Sequence, residues 1–466
     1  MKTLLPSTLL IPFLLTAQHA AAQQPDAPQP QTVSQATSPA IQPTDSSPAA
    51  SSNDTAIPLT RAEAEQMALR NNPRITASKL LALASGQLTR EARSAEMPQV
   101  EANLTAVQAE DSSRVGSGLL TSSRLYTHAG AGGTLSQLIT DFGHTQNLVA
   151  NAQLLQKAQQ QQAQATQQDV LLATDQAFYR LMEAQSLLEV ARVTVDTRKN
   201  VQTLIGALTH SALKSDLDLS IASADLSQAQ LMQLDAENAV ASASATLAAL
   251  LGARPATVYS AVHRDDLAPP LPPESSAPLV QQALAQRPDL QAVQSTAEAE
   301  HRMVRADQTS QLPTLTAMAT GGSVPVRPDG NVFTHNWYGA AGVNLSIPLF
   351  TGFRLNAQTE ASRLREHSER EQSRDLSNNI ARDVQIATLA AQTAFRKIAV
   401  TQQFKTQAQQ SLGLAETRYK LGLSSIVELS QAQLQSTQAN VDEVNARYGY
   451  LLALRNLEYA KGTLAP

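Results

Sequence analysis

From residue 144 to residue 210 the chain contains no proline and one glycine, Gly206. A helix of that length, at about 1.5 Å per residue, spans on the order of 100 Å, far beyond the diameter of a globular domain. Leu171, Phe178, Leu181, Leu188 and Val195 recur at heptad spacing, so the helix has a stripe to bury against others. A second helix is predicted at about 217–251. The same pair returns at about 354–420 and 425–460. There Val441, Val444, Tyr448 and Leu451 keep a 3-4-3 seam that stops at Arg455. The tract QKAQQQQAQATQQ (156–168) lacks Gly and Pro and reads as polar helix surface.

This recurrence is a duplication of the whole chain. ALRNNP (68–73) matches ALAQRP (283–288), and AEMPQV (95–100) matches SQLPTL (310–315), both at an offset of 215. LSQLITDFG (135–143) matches LSIPLFTGF (345–353), and Asp218-Leu219-Ser220 matches Glu428-Leu429-Ser430, both at 210. The slip of five residues falls between Pro98 and Leu135, where a loop tolerates it. Two structural repeats follow, 58–252 and 275–462, with a linker at 253–274.

Each repeat opens with a short helix ending at a proline, Pro73 or Pro288, and a second helix running to Pro98 or Pro313. Alternation of period two comes next. Val100, Ala102, Leu104 and Ala106 face one way and Gln99, Glu101, Asn103 and Thr105 the other. Trp337, Gly339, Ala341, Val343, Leu345 and Ile347 alternate with Tyr338, Ala340, Gly342, Asn344 and Ser346. Polar loops are expected at 111–125 and 321–334. Each repeat therefore gives one hairpin, at about 98–141 and 313–350, and the chain gives four strands. Four strands cannot close a barrel, since small barrels need about eight; three chains would supply twelve. The single tryptophan, Trp337, suits an aromatic girdle. The competing reading is the edge of a soluble sandwich.

Residues 1–22 read as an export signal: Lys2, an apolar stretch Leu4–Ala17, and Ala20-Ala21-Ala22 before the cut. Residues 23–57, rich in Pro, Ser, Gln, Ala and Thr, read as a disordered tether. No further run is apolar enough to span a membrane as a helix, so entry into one requires a closed β-barrel. With no cysteine there are no disulfides or thiolate metal sites. A net charge of −5 without a basic stripe argues against nucleic acid as partner.

Paired hairpins, long helices and duplication together resemble the outer-membrane factor (TolC-like) family of Gram-negative tripartite efflux and type I secretion systems. The likeness rests on NNP (71–73), ITDFG (139–143), IPLFTGF (347–353), RYKLGL…ELSQAQ (418–433) and NARYGYLLALRNLEYAKG (445–462), and covers about 58–462. It implies an α+β membrane protein: a homotrimer with a twelve-stranded barrel in outer-membrane lipid, an α-helical coiled-coil barrel in the periplasm, and an equatorial belt. Its partners would be a periplasmic adaptor and an inner-membrane pump.

In that family the turn between a long helix and its partner is the periplasmic tip. Gly422 there would supply a backbone with φ > 0. Leu421 and Leu423 would be exposed knobs for the adaptor, unless a plain helix cap buries them. The first repeat has Ala212 in place of that glycine and keeps Leu213. Asp216, Asp218 and Glu428 lie just past these turns, where carboxylate rings in a trimer would form a constriction favouring cations, and Asp218 and Glu428 match acidic positions at the family's constriction. Asp216 and its neighbours are also suited to helix N-termini. An arginine that some members place at position 424 is Ser424 here, leaving Arg418 and Lys420 as nearest substitutes.

No catalytic constellation, nucleotide loop or HExxH pair is present, and His144 and His210 are expected at helix ends. The chain is read as a non-enzyme without cofactors. Three functions remain open from sequence: an outer-membrane exit duct of a tripartite efflux pump, a duct for protein secretion, and a soluble periplasmic coiled-coil adaptor or structural protein.

Overall fold

A computed structural model describes residues 56–108, 114–117, 120–124, 128–211, 213–254, 257–262, 270–323 and 337–464. The export signal, all but the end of the tether, and Ala212 lie outside these residues. The duplication is exact in length for three of the four helices in each repeat. The first repeat contains α1 (Arg61–Asn71), α2 (Pro73–Ser94, 22 residues), α3 (His144–His210, 67 residues) and α4 (Asp216–Leu250, 35 residues). The second contains α5 (Ala277–Gln286), α6 (Pro288–Thr309, 22), α7 (Arg354–Lys420, 67) and α8 (Ile426–Ala460, 35). Pro73 and Pro288 stand at the first position of α2 and α6, where a missing N–H costs nothing.

The strands, in chain order, are β1 (Ile57–Leu59), β2 (Gln99–Val107), β3 (Arg114–Ser117), β4 (Leu120–Arg124), β5 (His128–Thr140), β6 (Tyr259–Ala261), β7 (Thr314–Ser323) and β8 (Trp337–Ser346). β2, β5, β7 and β8 form one antiparallel sheet in the order β2-β5-β7-β8. The four expected strands thus share one sheet, and the two hairpins join through β5 and β7.

Three expectations need correction. The loop expected at 111–125 contains the β3–β4 ladder. Gly321, Gly322 and Ser323, placed in a loop, belong to β7. Ile57, placed in the tether, begins β1, which pairs in parallel with β6 inside the expected linker. Three-residue strands are too short to show a period. They persist because Leu59, Tyr259 and Ala261 bury into the core of α1, α3, α4 and α8 around Phe178, Leu181 and Leu247.

The helices form an open row that continues the strands, α2 leading into β2, β5 into α3, α6 into β7 and β8 into α7. Near the strands the order is α2-α3-α6-α7; toward the far ends it is α4-α3-α8-α7, since α3 and α7 run the full length. Among the described residues, sheet and row are both open at both ends. Among the described residues no helix is long and apolar enough to cross a membrane.

Register sorts the sheet into two chemically different faces, because directly paired residues of antiparallel strands lie on the same face. One row reads Val100–Leu135–Ala319–Ala341, and the next on that face Ala102–Gly133–Gly321–Gly339. The opposite face carries Glu101–Thr134–Thr320–Ala340 and Asn103–Gly132–Gly322–Tyr338. Val343, Leu345 and Trp337 join the apolar face, and all three are exposed.

Candidate functional site at the helix-hairpin turns

The two long hairpins, α3–α4 and α7–α8, turn side by side. The α7–α8 turn is closed by its own backbone hydrogen bonds. Gly422 sits at φ +74, its N–H donates to the Tyr419 carbonyl, and the Leu423 N–H donates to the Arg418 carbonyl at 2.8 Å. This is a Schellman closure, in which a left-handed residue after the helix lets two orphan carbonyls find partners. In the first repeat the Leu213 N–H donates to the Leu208 carbonyl at 2.9 Å, the matching long bond. The other ends of α4 and α8 close the same way at Gly252 (φ +64) and Gly462 (φ +73).

A small core holds the two turns together: Ile205 and Ala222 from the first repeat against Ala415, Tyr419, Ile426 and Leu429 from the second. Lys214 Nζ lies 4.2 Å above the Tyr419 ring, a cation–π contact between the turns. Leucines at the apex stay outside this core. Leu213, Leu421 and Leu423 are 69 %, 68 % and 68 % exposed. The leucines are therefore not buried by the cap.

The acidic residues have local partners. Asp216 is the first residue of α4. Ser215 caps that helix, its Oγ accepting from the Asp218 N–H, while the Asp218 carboxylate accepts from the Ser215 N–H at 3.4 Å. That is a capping box, with the carboxylate at the positive end of the helix. Ser425 accepts from the Glu428 N–H in the same way. The Glu428 carboxylate instead lies 3.4 Å from Arg418 Nε. Arg418 is thus the partner of Glu428, and Ser424 Oγ is buried with no partner.

Sequence reasoning missed a second tie higher on the shaft. Buried Arg198 on α3 reaches the Asp225 carboxylate on α4 at 3.3 Å and the Gln433 amide oxygen on α8. Ser430 Oγ donates to the same Asp225 oxygen at 2.7 Å. Burial lowers the Arg198 pKa, and Asp225 opposes that effect. At the other end of α3, Asp141 accepts from the Gly143 and Thr145 N–H groups, so ITDFG ends a strand and caps a helix in five residues. His144 follows as the first residue of α3, its Nδ1 2.7 Å from the Ala306 carbonyl.

A family model described as outer membrane efflux protein matches residues 65–253 and 279–463, one match per repeat. The chain belongs to the outer membrane efflux protein family. Membership makes it an efflux protein of the outer membrane of a Gram-negative bacterium. Among its relatives, the outer membrane protein TolC of Vibrio cholerae is 24 % identical over 87 % of this chain and 91 % of its own length. The fusaric acid resistance protein FusA of Burkholderia cepacia is 28 % identical over 59 % of this chain; the chain spans about half of that relative, 52 %. The crystal structure of the outer membrane protein VceC of Vibrio cholerae superposes with a TM-score of 0.76 at 20 % identity, covering 86 % of this chain and 96 % of that one. The fold is therefore that of the solved channels: a helical shaft joined to a β domain.

Proposed function

We propose that three copies of this chain form a passive exit duct that carries small molecules from the periplasm through the outer membrane. The observation that carries this reading is the two-faced sheet. An apolar face and a polar face on the same four strands suit lipid outside and water inside. Free edges at β2 and β8, and free row ends at α2, α4 and α7, support closure with further copies. Leu217, Leu231 and Leu234 on α4 and Leu389, Val400 and Leu414 on α7 are exposed in the single chain and would be covered by that closure.

Small molecules are favoured over protein cargo because FusA is named for resistance to fusaric acid. Energy must come from a pump in the inner membrane, with a periplasmic adaptor between. The exposed leucines at the apex, Leu213, Leu421 and Leu423, offer that adaptor apolar knobs around a rigid turn. Asp218 and Glu428 line the narrow end in this reading.

Trp337 tests the membrane assignment because it is the sole tryptophan. It sits on the apolar face at the start of β8. In vesicles containing brominated phospholipid its fluorescence is expected to be quenched. Emission untouched by the brominated lipid would contradict a barrel wall and favour a soluble shaft.

A further inference from the structure

Three helices, α1, α3 and α8, bring a buried charge cluster together near β1 and β6. Glu65 on α1 is 1 % exposed and Asp175 on α3 is fully buried. Both are held by Arg455 on α8: Nη2 lies 2.7 Å from Glu65 Oε1, and Nε lies 2.6 Å from Asp175 Oδ2. Arg61 on α1 also pairs with Glu65, and Glu458 on α8 pairs with Arg455. Tyr179, one turn along α3, is buried beside them.

Three carboxylates meet two guanidiniums, so full ionisation leaves one negative charge without a counterpart. The two deepest acids each use one oxygen on Arg455. Their other oxygens, Glu65 Oε2 and Asp175 Oδ1, are buried without a hydrogen-bond partner. An orphaned buried carboxylate oxygen is costly. A single proton between the two carboxyls removes the excess charge and gives both orphans a bond.

We propose that Glu65 and Asp175 form a proton-binding site that clasps α1 to the α3–α8 stem, and that losing its proton loosens the clasp. The direction of the Asp175 shift agrees: burial first, then the adjoining Glu65 carboxyl, raise it from 3.8 to about 7, with Arg455 opposing. An acid that binds its proton more tightly when folded adds stability below its unfolded value. That contribution fades as pH climbs toward the folded value. The window is therefore about 4 to 7, with the clasp weakest above neutrality.

The site is internal to one chain, so the inference stands whether or not three copies assemble. The test follows the thermal midpoint of the purified protein in detergent at several pH values. From about pH 5 to about pH 8 the wild type is expected to lose on the order of 5 °C. Asp175→Asn and Glu65→Gln, which mimic the protonated pair, are expected to lose that slope. Infrared spectroscopy supplies a second readout without mutation: a protonated-carboxyl band at about pH 6 that is gone by about pH 8. It decides the matter if either variant fails to fold. A wild-type midpoint that ignores pH, a slope unchanged in both variants, or no protonated band would overturn the proposal.

Discussion

At the residue scale, Gly252, Gly422 and Gly462 close helices in the same left-handed conformation but in different surroundings. A Cβ on Gly422 would meet nothing within 4 Å. Gly422→Ala therefore costs only backbone conformation, about 1 kcal/mol. On Gly252 a Cβ would lie 2.8 Å from the Asn71 carbonyl oxygen, backbone that cannot step aside. Gly252→Ala is expected to lower the melting midpoint well beyond Gly422→Ala. Equal shifts would show that packing at the belt end of α4 is looser than the contact implies. The exposed leucines make the complementary case. Leu421→Ser with Leu423→Ser is expected to leave the midpoint unchanged while abolishing co-purification with the adaptor. A double variant that keeps the adaptor would remove the tip from the docking surface. The sequence made Gly422 legible, because a glycine before the next helix has few other uses. It did not make the Asp218 capping box or the Arg418–Glu428 pair legible. An acidic residue near a turn is compatible with a cap, a salt bridge or a pore wall, and only placement separates them.

At the element scale, two arginine–carboxylate pairs differ in worth because of depth. Arg418 and Glu428 lie in solvent, where screening and side-chain entropy leave about 0–1 kcal/mol. Arg198 is buried and joins α3 to α4 and α8; removing it takes the cation from Asp225, which keeps its bond from Ser430, and the donor from the Gln433 amide oxygen. Arg198→Ala is expected to cost about 3 kcal/mol, and Arg418→Ala less than about 1. Denaturant titration of both variants checks the ranking, and a reversed order would contradict it. The borders of the long helices were readable to within a residue or two, because sixty-seven positions without proline can hardly be anything else, whereas α2 and α6 stop at Ser94 and Thr309, short of the prolines expected to end them. β1 and β6 were not, since three residues carry no period and their pairing spans some 200 residues. The acid pair on Arg455 was only half visible. Arg455 interrupts the seam of Val441, Val444, Tyr448 and Leu451, a sign that something there needs a charge. Nothing in the sequence pointed to Glu65, 390 positions away.

At the scale of the whole molecule, the single chain is an unfinished object. Its sheet has two free edges, its helix row has two free ends, and apolar residues stand in the open along both. Free strand edges and exposed leucine rows are liabilities unless something covers them. Copies of the same chain cover them most simply, because the free end of one row is presented to the opposite end of the next. Four strands per chain and a barrel too small to close below about eight strands make three copies the smallest set that leaves room for a channel. The number of chains in the detergent-solubilised particle, from its protein mass, tests this most directly. Three chains per particle is the predicted result. A particle of one or two chains would contradict the duct.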